Sequence, residues 1–220
     1  MVLGIILNRL QPASFQPLNE SEMWGREVRF EKGKSYLIDA VSGSGKTSLL
    51  SFIYGIRQDY TGEIHLSLDA ANTSRTLQYP LHQEDMTSLW QKGIAFLFQD
   101  LRLFPTLTAI ENVELKNQLT HFKTQTAIEA MFERLCIADK MNTTVNRLSL
   151  GQQQKVAFIR ALCQPCDFLL LDEPVSHLDA ANAGLMAQIL KEEQQDRQFG
   201  IIATSIGNNL PYDYDKIFSL

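Results

Sequence analysis

Short apolar runs alternate with stretches of helical spacing along this chain. The apolar residues at 36–38, 93–98, 168–171 and 201–204 have the length and composition of buried strands. The last two runs, FLLL and IIAT, are typical of strands covered on both faces. Residues 47–54, after the first of these runs, have the spacing of a helix. This alternation predicts an α/β fold with a mostly parallel sheet covered by helices.

A purely helical region interrupts the alternation between residues 100 and 147. Within it, Ile128, Phe132 and Leu135 lie on one face of a helix at spacings of four and three. We therefore predict a helical subdomain inserted between two strands of the sheet. The region before it, 62–92, is more polar and combines one strand-like run, GEIHLSL, with loop-rich sequence.

Composition and charge narrow the possible functions. The chain has 220 residues, of which 45% are hydrophobic, enough for a sizeable core. Its net charge of −5 argues against a nucleic-acid partner, which requires a basic surface. No apolar run approaches the roughly 18 residues that span a bilayer, and the run at 2–7 is too short for a signal peptide. We expect a protein that stays in the compartment where it is made.

The three cysteines provide no disulfide framework, which is typical of a reducing cytosol. Cys163 and Cys166 form a C-x-x-C pair, but a zinc site needs about four ligands and the chain has no second pair. We interpret both as small buried residues between a helix and a strand.

The segment DAVSGSGKTSLL at 39–50 nearly matches the phosphate-binding pattern G-x-x-x-x-G-K-[ST]. Backbone N–H groups in such a loop, followed by a helix N-terminus, form an anion site. Glycines let the backbone approach phosphate oxygens, the lysine supplies charge, and the threonine hydroxyl can bind Mg²⁺. The predicted nucleotide-binding residues of this loop are Ser42, Gly43, Ser44, Gly45, Lys46, Thr47 and Ser48.

Ala40 occupies the position of the first glycine in that pattern. Alanine costs little there if its φ is negative, whereas a positive φ would impose a strain of about 1 kcal/mol or more. Several charge-assisted hydrogen bonds to phosphate outweigh such a strain. We therefore expect phosphate binding to be retained.

A second motif, FLLLDEP at 168–174, delivers two carboxylates to the end of a buried strand. In open α/β sheets, ligands bind beyond the carboxyl ends of the strands. Asp172 can hold Mg²⁺, directly or through water, and Glu173 can act as general base toward an attacking water. Adjacent carboxylates are unfavourable without a cation, which Mg-ATP would provide.

Together with LSLGQQQKVAFIRAL at 148–162, these motifs resemble the nucleotide-binding subunit of ABC transporters, whose signature is LSGGQ. The resemblance implies the P-loop NTPase fold of an ABC cassette: a mostly parallel sheet core, an antiparallel β region and an inserted helical subdomain. It also implies that Ser149, Gly151 and Gln152 contact the γ-phosphate held by a second copy. ATP would then be bound between two chains in a head-to-tail dimer.

Other family motifs follow in order. Gln99 matches the glutamine that senses Mg²⁺ and the attacking water, and SHLD at 176–179 matches the loop that crosses the dimer contact. The resemblance implies catalytic roles for Glu173, Gln99 and Ser205. It implies Mg²⁺ binding by Thr47, Gln99 and Asp172.

The resemblance spans almost the whole chain and implies one domain at 1–220. Residues 1–99 and 148–220 would form the core with its β subdomain, and 100–147 the helical subdomain. The stretch FQDLRLFPTLTAIENV at 98–113 is similar to subunits that serve lipoprotein-releasing, macrolide-export and cell-division transporters. The implied partners are a transmembrane permease subunit and a second cassette, at the inner face of the cell membrane, with no regulatory extension.

The chain departs from the family at Ala40, Leu150 and Ser205. Leu150 adds bulk beside the γ-phosphate site. Ser205 replaces a histidine and cannot become cationic, so one lost transition-state contact would cost roughly 2–4 kcal/mol. His177, in the dimer loop, is interpreted as a surface or interface residue.

The family stacks an aromatic ring on adenine before the glycine loop. Phe15 is the best-placed candidate here, with Trp24 as its rival, and a plain packing role is open for both.

Three functions are compatible with these features. The favoured one is an ATPase that powers a membrane transporter. The alternative is an ATP-gated dimer clamp with little hydrolysis, in which Ser205 replaces the catalytic histidine. A cassette acting on nucleic acid is disfavoured because the chain is acidic and contains one cassette.

Overall fold

The computed structural model describes residues 1–13, 21–70 and 73–220, which fold into two sheets and surrounding helices. The strands are β1 (Val2–Pro12), β2 (Glu27–Glu31), β3 (Ser35–Asp39), β4 (Tyr60–Ala70), β5 (Thr73–Gln78), β6 (Ile94–Leu97), β7 (Phe168–Asp172), β8 (Gly200–Ser205) and β9 (Lys216–Ser219). The α-helices are α1 (Lys46–Tyr54), α2 (Gln83–Ser88), α3 (Ala109–Asn117), α4 (Gln125–Arg134), α5 (Leu150–Leu162) and α6 (Ala180–Arg197).

The larger sheet is parallel throughout, with strand order β6-β7-β8-β3-β9. All four apolar runs singled out in the sequence are strands of this sheet, and every residue of β6, β7 and β8 is buried. The predicted helix at 47–54 is α1, which ends at Gly55 with φ 80. The α/β prediction is therefore confirmed.

The parallel sheet separates two hydrophobic cores. Leu169 and Leu171 of β7 pack into the core shared with α3, α4, α5 and α6. Phe168 and Leu170, which point to the other face, pack with α1 and the antiparallel strands. The central strands of the parallel sheet contain continuous apolar runs because a hydrophobic core covers each face of the sheet.

The smaller sheet is antiparallel, with strand order β2-β1-β4-β5. The strand-like run GEIHLSL lies within β4, whereas β1, β2 and β5 were not predicted from the sequence pattern. In β2, EVRFE, only two of the five residues are buried, so this strand contains no apolar run that would predict it. The antiparallel β region that the resemblance implied is present.

Residues 100–147 contain α3 and α4 as their α-helices, and short 3₁₀ turns at Ala138–Lys140 and Val145–Arg147. Ile128, Phe132 and Leu135 are all fully buried, as their spacing predicted. The stretch before β6 was expected to be loop-rich, yet it forms α2 and a π-helical turn at Leu89–Gly93. Helix α2 has no buried residue, which explains its weak hydrophobic periodicity.

Cys163 and Cys166 are buried at the end of α5 and before β7, as interpreted. Burial raises the pKa of Cys163 to about 12 and that of Cys166 to about 11, so neither is a reactive thiolate. Within residues 1–13, 21–70 and 73–220, no three His, Cys, Asp or Glu side chains cluster as metal ligands. Over the same ranges, no helix is both long and apolar enough to cross a bilayer.

Candidate nucleotide-binding site

A cavity of about 260 Å³ opens at the carboxyl ends of β3, β6 and β7, where α1 begins. This is the edge at which parallel α/β sheets bind ligands. The cavity is lined by Ser42, Gly43, Gly45, Lys46, Thr47, Ser48, Gln99, Glu173 and Ile206. Eight of these nine residues were predicted as site residues from the sequence.

The glycine loop has the backbone conformation that its sequence requires. Gly43 has φ 81 and Gly45 has φ 98, both in the left-handed region that favours glycine. A Cβ at Gly43 would meet nothing within 4 Å, so the space beside it is open. Ala40 does not have a positive φ, and alanine is therefore unstrained at this position.

Lys46 is 5% exposed and its ammonium group is held by the loop itself. Its Nζ donates to the carbonyl oxygens of Ala40 and Val41, each at 2.8 Å. Burial lowers the pKa of Lys46, and the nearby charges of Glu173 and Asp172 oppose that effect. The cation therefore lies at the cavity wall, beside the two carboxylates.

A chain of hydrogen bonds links three elements across the cavity. The Thr47 hydroxyl at the start of α1 donates to Gln99 Oε1 at 3.2 Å. Gln99, just beyond β6, donates from Nε2 to Glu173 Oε2 at 3.2 Å. Burial raises the pKa of Glu173 from its ordinary value of 4.5, with Lys46 acting in the opposite direction.

Asp172 ends β7 behind the cavity wall and is 1% exposed. Its Oδ1 accepts a hydrogen bond from the Thr204 hydroxyl at 2.7 Å. Its Oδ2 is buried and has no hydrogen-bond partner among the described residues. Burial raises the pKa of Asp172. The Thr47 hydroxyl is close to Asp172 and contacts Gln99 Oε1, so a set of oxygen atoms that includes an unpaired buried carboxylate oxygen is present, and it fits a magnesium ion, which prefers oxygen ligands.

The signature residues lie elsewhere on the monomer. Ser149 is the N-cap of α5 and forms a capping box with Gln152: Gln152 N–H donates to Ser149 Oγ at 3.3 Å, and Ser149 N–H donates to Gln152 Oε1 at 3.0 Å. Gly151 packs against the 176–179 loop, where a Cβ would lie 2.9 Å from the His177 carbonyl oxygen. None of these three residues lines the cavity of its own chain.

The side chain of Ser205 does not face this cavity. Ser205 is 2% exposed at the end of β8, and its hydroxyl is buried without a hydrogen-bond partner in the described part of the chain. The next residue, Ile206, lines the cavity instead. Ser44 likewise does not line the cavity; its hydroxyl is buried.

Trp24 is a core residue and not an exposed stacking platform. It is 5% exposed, packs edge-to-face with Phe52, and donates from Nε1 to the Ser44 carbonyl oxygen at 3.2 Å. The indole therefore supports the glycine loop from beneath. The preferred candidate for adenine stacking, Phe15, lies outside the described residues.

Three side chains that the sequence analysis did not single out also shape the site. Thr204 bonds Asp172, as described above, and Gln154 bonds the segment at 173–177. Arg160 donates to the carbonyl oxygens of Leu101 (2.5 Å) and Arg102 (2.7 Å), which follow Gln99 in the left-handed conformation. The sequence contained one signal for Gln154. It lies four residues before Phe158, so the helical spacing predicts both on the apolar face of α5, where the structure buries them.

Comparison with known proteins agrees with this geometry. The family model described as ABC transporter matches residues 25–176, well over half of the chain. The chain belongs to the ABC transporter family. The lipoprotein-releasing system ATP-binding protein LolD of Leptospira interrogans is 30% identical over 189 residues, covering 85% of this chain and 77% of the relative.

A longer ABC transporter protein, H family member 2 of Dictyostelium discoideum, is 28% identical over 197 residues, which cover 88% of this chain and only 37% of that relative. Among solved structures, the dimeric post-hydrolysis state of the ATP-binding cassette MJ0796, bound to ADP and Pi, matches with a TM-score of 0.69 and 27% identity. The match covers 91% of this chain and 87% of that one. The chain is thus an ABC transporter ATP-binding cassette, and its resemblance to the lipoprotein-releasing type is confirmed.

Proposed function

We propose that this cassette hydrolyses ATP to power a separate membrane subunit, with ATP closing a head-to-tail dimer of two cassettes. The proposal depends mainly on one observation. Lys46, Thr47, Gln99 and Glu173 converge on one cavity, with the unpaired oxygen of Asp172 directly behind it. This set of groups suits binding and cleavage of a triphosphate.

Within this proposal, each group has a defined task. The N–H groups of the glycine loop and the Lys46 ammonium bind the phosphates. Thr47, Gln99 and Asp172 would hold Mg²⁺, which when bound neutralises charge on the phosphate oxygens. Glu173 accepts the proton of the attacking water, and Gln99 orients that water through its contact with Glu173.

The second copy would complete the site. Ser149, Gly151 and Gln152 lie at the N-terminus of α5, outside their own cavity, and a helix N-terminus attracts anions. We propose that they contact the γ-phosphate held by the partner. Adenine would stack on Phe15. The dimeric state of the related cassette MJ0796 supports this assembly.

A permease is the proposed membrane partner, which would place the cassette at the inner face of the cell membrane. An apolar groove of about 230 Å³, distinct from the nucleotide cavity, includes Phe104 and Leu115, which are 55% and 43% exposed. Phe98 and Arg102, which lie on either side of Gln99 in the chain, also line the groove, so a docked permease segment would influence the site through the backbone at 98–102. We retain residues 1–220 as one domain, with 1–99 and 148–220 as its core and 100–147 as its helical subdomain.

Glu173→Gln tests the hydrolytic function. This variant keeps the side-chain shape but removes the base, so Mg-dependent ATP hydrolysis should fall by about 10²-fold or more while ATP binding is retained. Glu84→Gln, an exposed change in α2, is the matched control and should hydrolyse ATP at the wild-type rate. Normal turnover by Glu173→Gln would exclude the assigned base.

The alternative, an ATP-gated clamp with little hydrolysis, is supported by the cavity wall. Ile206 lies there, and no histidine is among the described residues that line the cavity. An apolar side chain cannot donate a hydrogen bond to the γ-phosphate. Wild-type protein that binds ATP and dimerises, but shows no turnover even with its membrane partner, would favour the clamp.

A further inference from the structure

Resting on the proposed function, we propose that Gln154 of α5 is a positioning residue for Glu173, and that it couples the signature end of α5 to the catalytic carboxylate. Gln154 is 1% exposed and touches neither the cavity nor the reacting atoms. It acts instead through the main chain that carries Glu173.

The hydrogen-bonding groups of the Gln154 amide are directed at a single segment, 173–177. Its Nε2 donates to the Glu173 carbonyl oxygen at 3.1 Å and to Ser176 Oγ at 3.3 Å. Its Oε1 accepts the His177 backbone N–H at 3.1 Å. A buried amide satisfied in this way specifies one arrangement of its partners.

The backbone at Glu173 needs this support because it is strained. Glu173 has φ 49, a left-handed conformation that costs a residue with a Cβ roughly 1–2 kcal/mol. Its N–H donates to Thr204 Oγ1 at 3.1 Å, and its carbonyl oxygen accepts from Gln154 Nε2 at 3.1 Å and from the Ser176 N–H at 3.3 Å. The peptide groups on both sides of the Glu173 side chain are therefore fixed. Without Gln154, the Glu173 carbonyl oxygen would keep only the longer bond from Ser176, which belongs to the same segment, and its tie to α5 would be lost, so the carboxylate would be free to shift.

The same helix carries the signature residues, which provides the coupling. Gln154 lies little more than one turn beyond Ser149, the N-cap of α5. Gly151 contacts the 176–179 loop so closely that a Cβ would lie 2.9 Å from the His177 carbonyl oxygen. The first turns of α5 and residues 173–177 must therefore move together. A phosphate contacting Ser149 from a second copy would act on Glu173 through this connection.

Two substitutions of Gln154 test the proposal, with Gln153 as the matched control. Gln154→Met keeps the shape and loses every hydrogen bond, whereas Gln154→Glu can still accept the His177 N–H but repels the Glu173 carbonyl oxygen. Among the described residues, the Gln153 side chain on the same helix donates to the Leu148 carbonyl oxygen at 2.9 Å and makes no hydrogen bond to 173–177, so Gln153→Met leaves the contacts of that segment unchanged.

We expect kcat for ATP hydrolysis to fall about 10- to 100-fold in both Gln154 variants, with KM for ATP within about twofold of wild type, because the carboxylate is misplaced and the phosphate loop is not. Amide hydrogen exchange at His177 should accelerate in Gln154→Met and stay slow in Gln154→Glu. Gln153→Met should match wild type in both measurements.

A kcat for Gln154→Met within twofold of wild type, or an equal loss in Gln153→Met, would overturn the proposal. So would a fall in kcat accompanied by a comparable rise in KM, which would indicate a damaged phosphate site. Absence of hydrolysis in the wild type would contradict the proposed function instead. In that case unchanged exchange at His177 in Gln154→Met would overturn the positioning role.

Discussion

Gln99 donates a hydrogen bond from its Nε2 to Glu173 Oε2 across 3.2 Å. The two residues lie just beyond β6 and β7, which are neighbours in the parallel sheet, so the sheet itself sets their separation. Because the amide also accepts the Thr47 hydroxyl, Gln99 links the start of α1 to the carboxylate. A change at Gln99 should therefore alter the ionisation of Glu173.

Gln99→Glu would place a second carboxylate beside Glu173. A neighbouring like charge disfavours ionisation, so the pKa of Glu173, already raised by burial, should rise further. Activity that needs ionised Glu173 is lost as the pH falls through its pKa, so the acid limb of the kcat–pH profile should move to higher pH. Gln118→Glu, an exposed change at the end of α3, is the control and should leave the profile unchanged. An unmoved acid limb in Gln99→Glu would contradict the proposed role of Glu173 as base.

Gly151 and Gly184 offer a paired test of local packing. An added Cβ at Gly151 would lie 2.9 Å from the His177 carbonyl oxygen, whereas at Gly184, inside α6, it would meet nothing within 4 Å. Gly184→Ala should raise the free energy of unfolding by about 0.5–1 kcal/mol because alanine favours the helix. Gly151→Ala should lower it by about 1 kcal/mol or more through the clash. Urea titration of both variants measures the difference, and equal effects would show that the 176–179 loop adapts freely.

Asp172 should destabilise the nucleotide-free protein at neutral pH. Burial raises the pKa of Asp172 in the folded state. As the pH rises, this carboxyl group therefore ionises first in the unfolded chain, and the free energy of unfolding decreases until the pH has passed the folded-state pKa. Asp172→Asn removes this effect and should raise Tm at neutral pH, by about 2–4 °C per kcal/mol gained. The gain should shrink as the pH approaches the ordinary aspartate pKa of 3.8.

The same substitution should abolish the stabilisation that Mg-ATP confers, because it removes the charge of a proposed magnesium ligand. Asp196→Asn, an exposed change in α6, is the control and should leave this stabilisation unchanged. A Tm gain in Asp172→Asn that is the same at acidic and neutral pH would show that charge is not its cause.

The elements that were predictable have strong local signals. The apolar run of β7 and the helical spacing of α1 are each visible within one short stretch of sequence, and the structure confirms both elements. Strands β2 and β5 were missed because they have few apolar residues of their own and depend on pairing with β1 and β4. Helix α2 buries no side chain, so its sequence has no hydrophobic periodicity from which a helix could be predicted.

The sequence by itself determined the chemical groups available and the edge of the sheet at which they meet. The glycine loop follows β3, and Asp172 and Glu173 lie at the end of β7, and both strands pair in parallel with β8. Only the tertiary structure decided where individual side chains point. It buries Ser205 and places Ile206 in the cavity wall, packs Trp24 beneath the glycine loop, and directs Gln154 onto the main chain of Glu173. The physical reason is that a motif encodes local backbone conformation, whereas side-chain orientation depends on partners distant in sequence, such as Thr204, which lies 31 positions after Glu173.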